Sequence, residues 1–254
     1  MRLVRYLIDD QPTWGMLEGD RVERLQDSPL TAPVQRTGQS LPLWDVTLLA
    51  PTLPTKIVAV GRNYPAHAAE HEVPVPQEPL IFLKPPSAVI GPGESIRLPS
   101  LSRQVEHEGE LAVVIGRRGR CVDEVSAQEH VLGYTAANDV TARDLQRGDP
   151  QWTRGKGFDT FCPLGPWIET ELELSGAGLT CSVNGELRQQ GQLSEMVFSV
   201  DRLIAFISQV MTLEPGDVIL TGTPAGVGPL VHGDRVSVSI DGLGELTNPV
   251  QAAE

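Results

Sequence analysis

Short apolar runs separated by Gly and Pro punctuation dominate the chain, so the pattern predicts strands far more often than helices. Leu3 to Ile8, Trp14 to Leu17 and Val22 to Leu25 read as strands, with a turn at Glu18-Gly19-Asp20. The stretch Ser28 to Pro54 holds several prolines and no sustained period, which predicts an extended linker and a boundary near Pro54. Beyond it, Ile57 to Val60, Leu80 to Leu83, Leu111 to Ile115, Leu179 to Val183, Val218 to Leu220 and Val236 to Ile240 are further strand candidates. Asn184-Gly185, set between two such runs, predicts a type I′ hairpin because both turn positions must tolerate positive φ. Two longer helices are predicted. One starts at Ser126-Ala-Gln-Glu129, a capping box with Gly133 as its stop, and the other runs from Ser199 to about Leu213. The second carries an apolar stripe of Leu203, Ile207, Val210 and Met211, widened by Ile204 and Phe206. The resulting class is mixed α/β, mainly β, with a small β-rich amino-terminal domain over residues 1–54 and a larger domain over residues 55–254.

A length of 254 residues suffices for a substantial core. The formal net charge of −13 argues against a nucleic-acid binder, whose phosphate contacts need clustered Lys and Arg. An anionic ligand would then need a local positive centre, which a bound divalent cation provides. No apolar run is long enough for a membrane span, and charges interrupt the opening residues where a signal peptide needs an apolar core, so a cytoplasmic location is expected. The three cysteines, Cys121, Cys162 and Cys181, are widely spaced and read as reduced thiols.

Candidate chemistry begins at Glu108 and Glu110, two apart at the start of an apolar strand, which places both on one face of the pleat. Such a pair also occurs on ordinary solvated strands. Together with Asp139, at the end of the strand containing Tyr134-Thr-Ala-Ala-Asn138, it would offer hard oxygen ligands suited to Mg²⁺, Mn²⁺ or Ca²⁺. Asp139 reads equally well as a turn cap. His67 and Glu70 stand three apart, so a short helix would set them side by side, with the carboxylate orienting the imidazole as a general base. A polar loop helix is the alternative there. His107 faces away from Glu108 if the strand is regular and is not expected to be a ligand. Lys84 is either an anion contact or a strand-end lysine reaching to solvent. The segment from Thr221 to Gly228 lacks the Gly-Lys-Ser/Thr ending of a phosphate loop.

Seven stretches, in order, carry a resemblance: Val60-Gly-Arg-Asn-Tyr-Pro-Ala-His67, Phe82-Leu-Lys-Pro85, His107-Glu-Gly-Glu-Leu111, Asn138-Asp-Val-Thr-Ala-Arg-Asp-Leu-Gln146, Trp152-Thr-Arg-Gly-Lys156, Val183-Asn-Gly-Glu186 and Leu220-Thr-Gly-Thr-Pro224. Across residues 55 to 250 the chain resembles the fumarylacetoacetate hydrolase family, whose members act on acylpyruvates and related 2-oxo or enol dicarboxylates. The resemblance implies a layered, rolled mixed β-sheet, usually in a homodimer. It implies a divalent metal, Mg²⁺ or Mn²⁺, on Glu108, Glu110 and Asp139. It further implies that Lys156 contacts substrate, that Thr223 helps to hold a substrate carboxylate, and that Arg143 and Gln146 are polar contacts on the substrate side. In hydrolytic members a pair like His67 and Glu70 sits on a lid, so the expected reaction is carbon–carbon hydrolysis of an acylpyruvate-like 2,4-diketo acid. Isomerisation of a hydroxymuconate-type diene, or decarboxylation or tautomerisation of oxaloacetate, is the rival on the same site. A non-catalytic protein that binds metal and oxo acid is the reading from another class.

Overall fold

A computed structural model describes residues 1–252. Its backbone is organised around one 12-stranded sheet, a five-stranded sheet packed against it, and a small three-stranded sheet. The large sheet runs in the order Arg36–Pro42, Arg21–Leu25, Gln11–Glu18, Arg2–Ile8, Cys162–Glu169, Val131–Asn138, Gly109–Ile115, Val218–Leu220, Ile57–Gly61, Leu80–Lys84. The amino-terminal strands therefore extend the same sheet as the rest of the chain, joined where Leu3 pairs with Ile168.

The central strand Gly109–Ile115 is buried along its whole length, which explains its nearly continuous apolar sequence. Its side chains still alternate. Leu111, Val113 and Ile115 join the main core with Leu179, Val238 and Ile240 of the five-stranded sheet. Ala112 and Val114 point the other way, into two smaller apolar clusters. Glu110 shares the face of Ala112, because the pleat repeats every two residues. At Glu108 the chain passes from Val105–His107, in the three-stranded sheet, into the large sheet.

Most predicted elements form where the pattern places them. Asn184 and Gly185 take φ of 54° and 82°, and Val183 pairs with Glu186 across the turn. The helix Val200–Val210 is capped by Ser199, whose side chain accepts from the Arg202 amide at 3.3 Å, and it buries Leu203, Ile204 and Ile207. It ends earlier than expected, and Val210 is 57% exposed. The reason is that Leu213 leaves the helical path to bridge Gly119.

Two expectations are corrected. The stretch Ser28 to Pro54 is not merely a linker, since Arg36–Pro42 pairs with Arg21–Leu25 and Thr47–Leu48 pairs with Arg2–Ile8. Arg36–Pro42 is an edge strand solvated on both faces, so it shows no alternation to read. The helix beginning at Ser126 is only a 3₁₀ segment, Glu124–His130, and the Ser126 hydroxyl donates to the Asp123 carbonyl instead of forming the predicted capping box. Gly133 does not stop a helix. It lies inside the strand Val131–Asn138, where a Cβ would stand 2.5 Å from the Glu169 carbonyl oxygen.

That close approach makes Gly133 a packing requirement. Gly133→Ala should destabilise the protein by about 1–3 kcal/mol through backbone displacement, whereas Gly148→Ala, with nothing within 4 Å of the added carbon, should leave the chemical denaturation midpoint nearly unchanged. Equal midpoints for the two variants would contradict the close packing of Val131–Asn138 against Cys162–Glu169.

Candidate active site

Backbone pairing accounts for the meeting of Glu108 and Asp139 across 30 intervening residues. Gly109 lies opposite Asn138, the Glu108 amide donates to Asn138 Oδ1 at 2.9 Å, and the Asp139 amide donates to the Glu108 carbonyl at 2.8 Å. Glu110 follows two residues on, inside the strand Gly109–Ile115. Its Oε2 accepts from the Gly222 amide at 2.7 Å, so the end of Val218–Leu220 supports it. One carboxylate oxygen each of Glu108, Glu110 and Asp139 can be chosen so that all three lie within 4.8 Å of one another, and all three residues are buried.

Three cations surround these carboxylates. Lys156 Nζ donates to Glu108 Oε2 at 2.8 Å and to Asp139 Oδ2 at 2.6 Å. Lys84 Nζ donates to Asp139 Oδ1 at 2.6 Å and to the Val140 carbonyl at 3.3 Å. Arg143 bonds Glu106 Oε2 through Nε at 2.7 Å and Glu108 Oε1 through its terminal nitrogen. Lys84 is thus a buried partner of Asp139, with 1% exposure, and not a lysine reaching to solvent.

These neighbours set the charge states. Burial opposes ionisation of Glu108, yet Lys156 and Arg143 hold its carboxyl far below the usual range. Burial, reinforced by the negative charges of Asp139 and Glu108, pushes Glu110 well above it. Burial also works against the Lys156 ammonium, but Asp139 and Glu108 outweigh it and raise its pKa. Counting Glu106, four buried carboxyl groups face three buried cations, so the set is one positive charge short of balance whenever Glu110 is ionised, and burial together with that shortage pushes Glu110 upward. A divalent cation fits this set: its donors are hard oxygens, and distances up to 4.8 Å need only modest closure to reach the roughly 4.2 Å that spans an octahedral Mg²⁺ site.

His67 sits on the short helix Pro65–Glu70, where Nδ1 lies 3.3 Å from Glu70 Oε2. Glu70 Oε1 accepts from the Gly226 amide at 3.0 Å, which ties the helix to the loop after Thr223. Burial depresses the His67 pKa more than the nearby carboxylates raise it, favouring the neutral imidazole.

All nine predicted residues, His67, Glu70, Glu108, Glu110, Asp139, Arg143, Gln146, Lys156 and Thr223, line one cavity of about 540 Å³. Their engagement differs. Arg143 is 3% exposed and bonded to Glu106, Glu108 and, at 2.6 Å, Gln146 Oε1, so it holds Glu108 in place at the cavity wall. The Thr223 hydroxyl donates to the Gly109 carbonyl at 2.8 Å and accepts from Gln189 Nε2 at 2.7 Å. A substrate carboxylate would have to displace one of these bonds to take that proton.

His107 points away as expected, with Nδ1 3.0 Å from Gln189 Oε1 and 3.4 Å from Cys181 Sγ. Sequence reading missed Gln189 itself, which is fully buried and connects His107, the Gly109 amide and Thr223. It missed Glu106 and Asn63 also. Asn63 Nδ2 donates to the Thr221 carbonyl at 2.7 Å and its Oδ1 accepts from the Phe198 amide at 2.8 Å, securing the loop beside the cavity.

Comparison with known proteins agrees with this architecture. Residues 56–251 match the family model described as fumarylacetoacetate (FAA) hydrolase C-terminal, and residues 1–51 match one described as Rv2993c-like, N-terminal. The chain is similar to the structure of 5-carboxymethyl-2-hydroxymuconate delta-isomerase from Mycobacterium smegmatis, with 50% identity, full coverage of both chains and a TM-score of 0.94. It is 48% identical to mitochondrial oxaloacetate tautomerase fahd2 of Xenopus laevis over 81% of this chain and 69% of that protein. The structure of fumarylacetoacetate hydrolase from Exiguobacterium antarcticum matches at 38% identity, with full coverage of both chains and a TM-score of 0.87. The family match covers the strands, the loops and every residue of the cavity described above, and the chain belongs to the fumarylacetoacetate hydrolase family.

Proposed function

We propose that this chain is a divalent-metal-dependent enzyme that moves a proton at the carbon beside the 2-oxo group of a small 2-oxo dicarboxylate, giving tautomerisation or double-bond isomerisation. The observation that carries this reading is the opening of the His67–Glu70 pair onto the same cavity as three converging carboxylates. A base and an anion-stabilising centre facing one space are what enol chemistry needs. The relatives named as an isomerase and a tautomerase support the same reading.

Glu108, Glu110 and Asp139 would hold the metal. When bound, Mg²⁺ or Mn²⁺ supplies Lewis-acid stabilisation of the negative charge that develops on the 2-oxo oxygen. The chain's own groups do the rest. With Nδ1 facing Glu70, Nε2 of neutral His67 is the nitrogen left to take a proton from the carbon next to the 2-oxo group. The C–H electron pair becomes the new carbon–carbon π bond, and the carbonyl π pair moves onto oxygen. Glu70 stabilises the imidazolium that results, and His67 then returns the proton to oxygen or to a more distant carbon. Lys156, charged and fixed between Glu108 and Asp139, keeps positive potential beside the reacting oxygens. Gln146 gives its Oε1 to Arg143 and so has its NH₂ for a substrate oxygen.

Carbon–carbon hydrolysis is the second reading, favoured by the size of the cavity, about 540 Å³, which leaves space for an acyl group and a water molecule beside a pyruvate unit. There His67 would deprotonate water, hydroxide would add to the acyl carbonyl, and the carbon–carbon bond would break toward the pyruvate half. Decarboxylation of oxaloacetate needs no such water.

Purified protein with Mg²⁺, given oxaloacetate, a hydroxymuconate-type diene and an acylpyruvate, should interconvert the tautomers or shift the double bond with no loss of carbon. Release of pyruvate plus a carboxylic acid would favour hydrolysis, CO₂ would favour decarboxylation, and binding without turnover would overturn the enzymatic reading. His67→Ala should lower kcat by roughly 10²–10⁴-fold while KM changes little; unchanged kcat would remove His67 from the reaction. In a separate measurement, Mn²⁺ should raise the melting temperature of the wild type, as any ligand of the folded state does. Asp139→Asn should lose most of that increment, and an undiminished increment would place the metal elsewhere.

A further inference from the structure

The motif His67-Ala-Ala-Glu70-His71 contains one residue that the proposed reaction does not use. His71 closes the helix Pro65–Glu70, one turn after His67, and the two imidazoles meet edge to face with centroids 4.7 Å apart. One ligand atom each of His67, Glu70 and His71 can be chosen so that all lie within 4.8 Å of one another. The Nε2 of His71 is buried and has no hydrogen-bond partner among the described residues, an uncompensated polar atom of the kind that a ligand relieves. The backbone holds these residues in place: the His71 amide donates to the His67 carbonyl at 3.3 Å, and the Glu72 amide donates to the Ala69 carbonyl at 3.0 Å. Glu72 then takes φ of 55° and ends the helix. Glu70 is anchored independently through the Gly226 amide.

We infer that His67, Glu70 and His71 form a second metal site, selective for a borderline cation such as Zn²⁺, and that its occupancy shuts off turnover. Two imidazoles four residues apart, one on the helix and one at its C-cap, together with one carboxylate match the His₂Glu ligand chemistry of zinc, with a fourth position open to the cavity. The carboxylate triad nearby offers only oxygen and suits Mg²⁺ or Mn²⁺. One cavity therefore presents two neighbouring sites of opposite preference. Inhibition rests on the assignment of His67 as the base. A neutral imidazole has a single accepting lone pair, and whichever nitrogen zinc takes, the other carries the proton. His67 then has nothing with which to accept a second proton.

The test titrates Zn²⁺ into the full-length protein in excess Mg²⁺ against a chromophoric chelator, for the wild type, His71→Gln and His71→Cys. The wild type should bind one Zn²⁺, His71→Gln should bind it at least about tenfold more weakly, and His71→Cys, which restores a zinc ligand, should recover binding. Melting temperatures in Mg²⁺ alone confirm that the variants are folded. Equal Zn²⁺ affinity in the wild type and His71→Gln, both folded, would overturn the site. In parallel, stoichiometric Zn²⁺ should abolish turnover of the wild type and spare that of His71→Gln. If zinc binding depends on His71 while turnover is untouched, the metal site stands and the assignment of His67 as the base is what fails.

Discussion

The structure depends on how four buried carboxyl groups are held together at one end of a β-sheet. Glu106, Glu108, Glu110 and Asp139 would repel one another strongly in a medium of low dielectric constant. Glu106, Glu108 and Asp139 are kept in place by Lys84, Lys156 and Arg143, each itself buried and hydrogen-bonded to at least one of them, and Glu110 by the Gly222 amide. Leaving any one of these charges without its partner costs about 3–5 kcal/mol in a typical buried pair. The arrangement therefore constrains the strands, the two short helices Arg143–Gly148 and Thr153–Lys156, and the loop after Leu220 together.

This constraint leaves a shortage of one positive charge in the wall of a polar cavity. The shortage falls on Glu110, whose carboxyl is pushed upward by burial and by the acids beside it. A hard divalent cation would favour the ionised form of Glu110, turn the shortage into an excess of one positive charge, and present its remaining coordination positions to the cavity. His67 approaches the same space from a separate helix, tied by Glu70 to the loop that also carries Thr223. In the proposed reaction, charge stabilisation and proton transfer would come from different parts of the chain, and one fold of this kind can host several chemistries, as the isomerase, tautomerase and hydrolase names of similar proteins illustrate.

Support for the cavity comes from neutral polar groups as well. Gln189 lies in the five-stranded sheet, yet it receives or donates bonds at His107, Gly109, Thr223 and Pro224, so the second sheet helps to fix the edge of the first. Asn63 does the same between the Ile57–Gly61 strand end and the Thr221 loop. Both side chains are fully buried with their amides bonded, which makes them positioning groups for the elements that carry Glu110 and Thr223.

Most local signals were legible where one periodicity or one turn dictates the backbone, the capping box read at Ser126 being the exception, since that segment is a 3₁₀ turn. Short apolar runs bounded by Gly and Pro located the strands of the core, Asn184-Gly185 announced its hairpin, and Ser199 capped its helix, because each depends on neighbours a few residues away. His67 met Glu70 through a helical turn as the spacing predicts, whereas Glu108 lies between two strands of different sheets and meets Glu110 without sharing its pleat. Other features had no local signal. Arg36–Pro42 is a strand only because Arg21–Leu25 offers it an edge, and Gly133 is required only because Glu169 approaches it. That Arg143 would be occupied in clamping Glu106 and Glu108, that Lys84 would be buried against Asp139, and that Gln189 would join two sheets were decided by tertiary structure. A side chain's partner across the fold is set by sheet register and layer packing, which bring together residues that share no sequence neighbourhood.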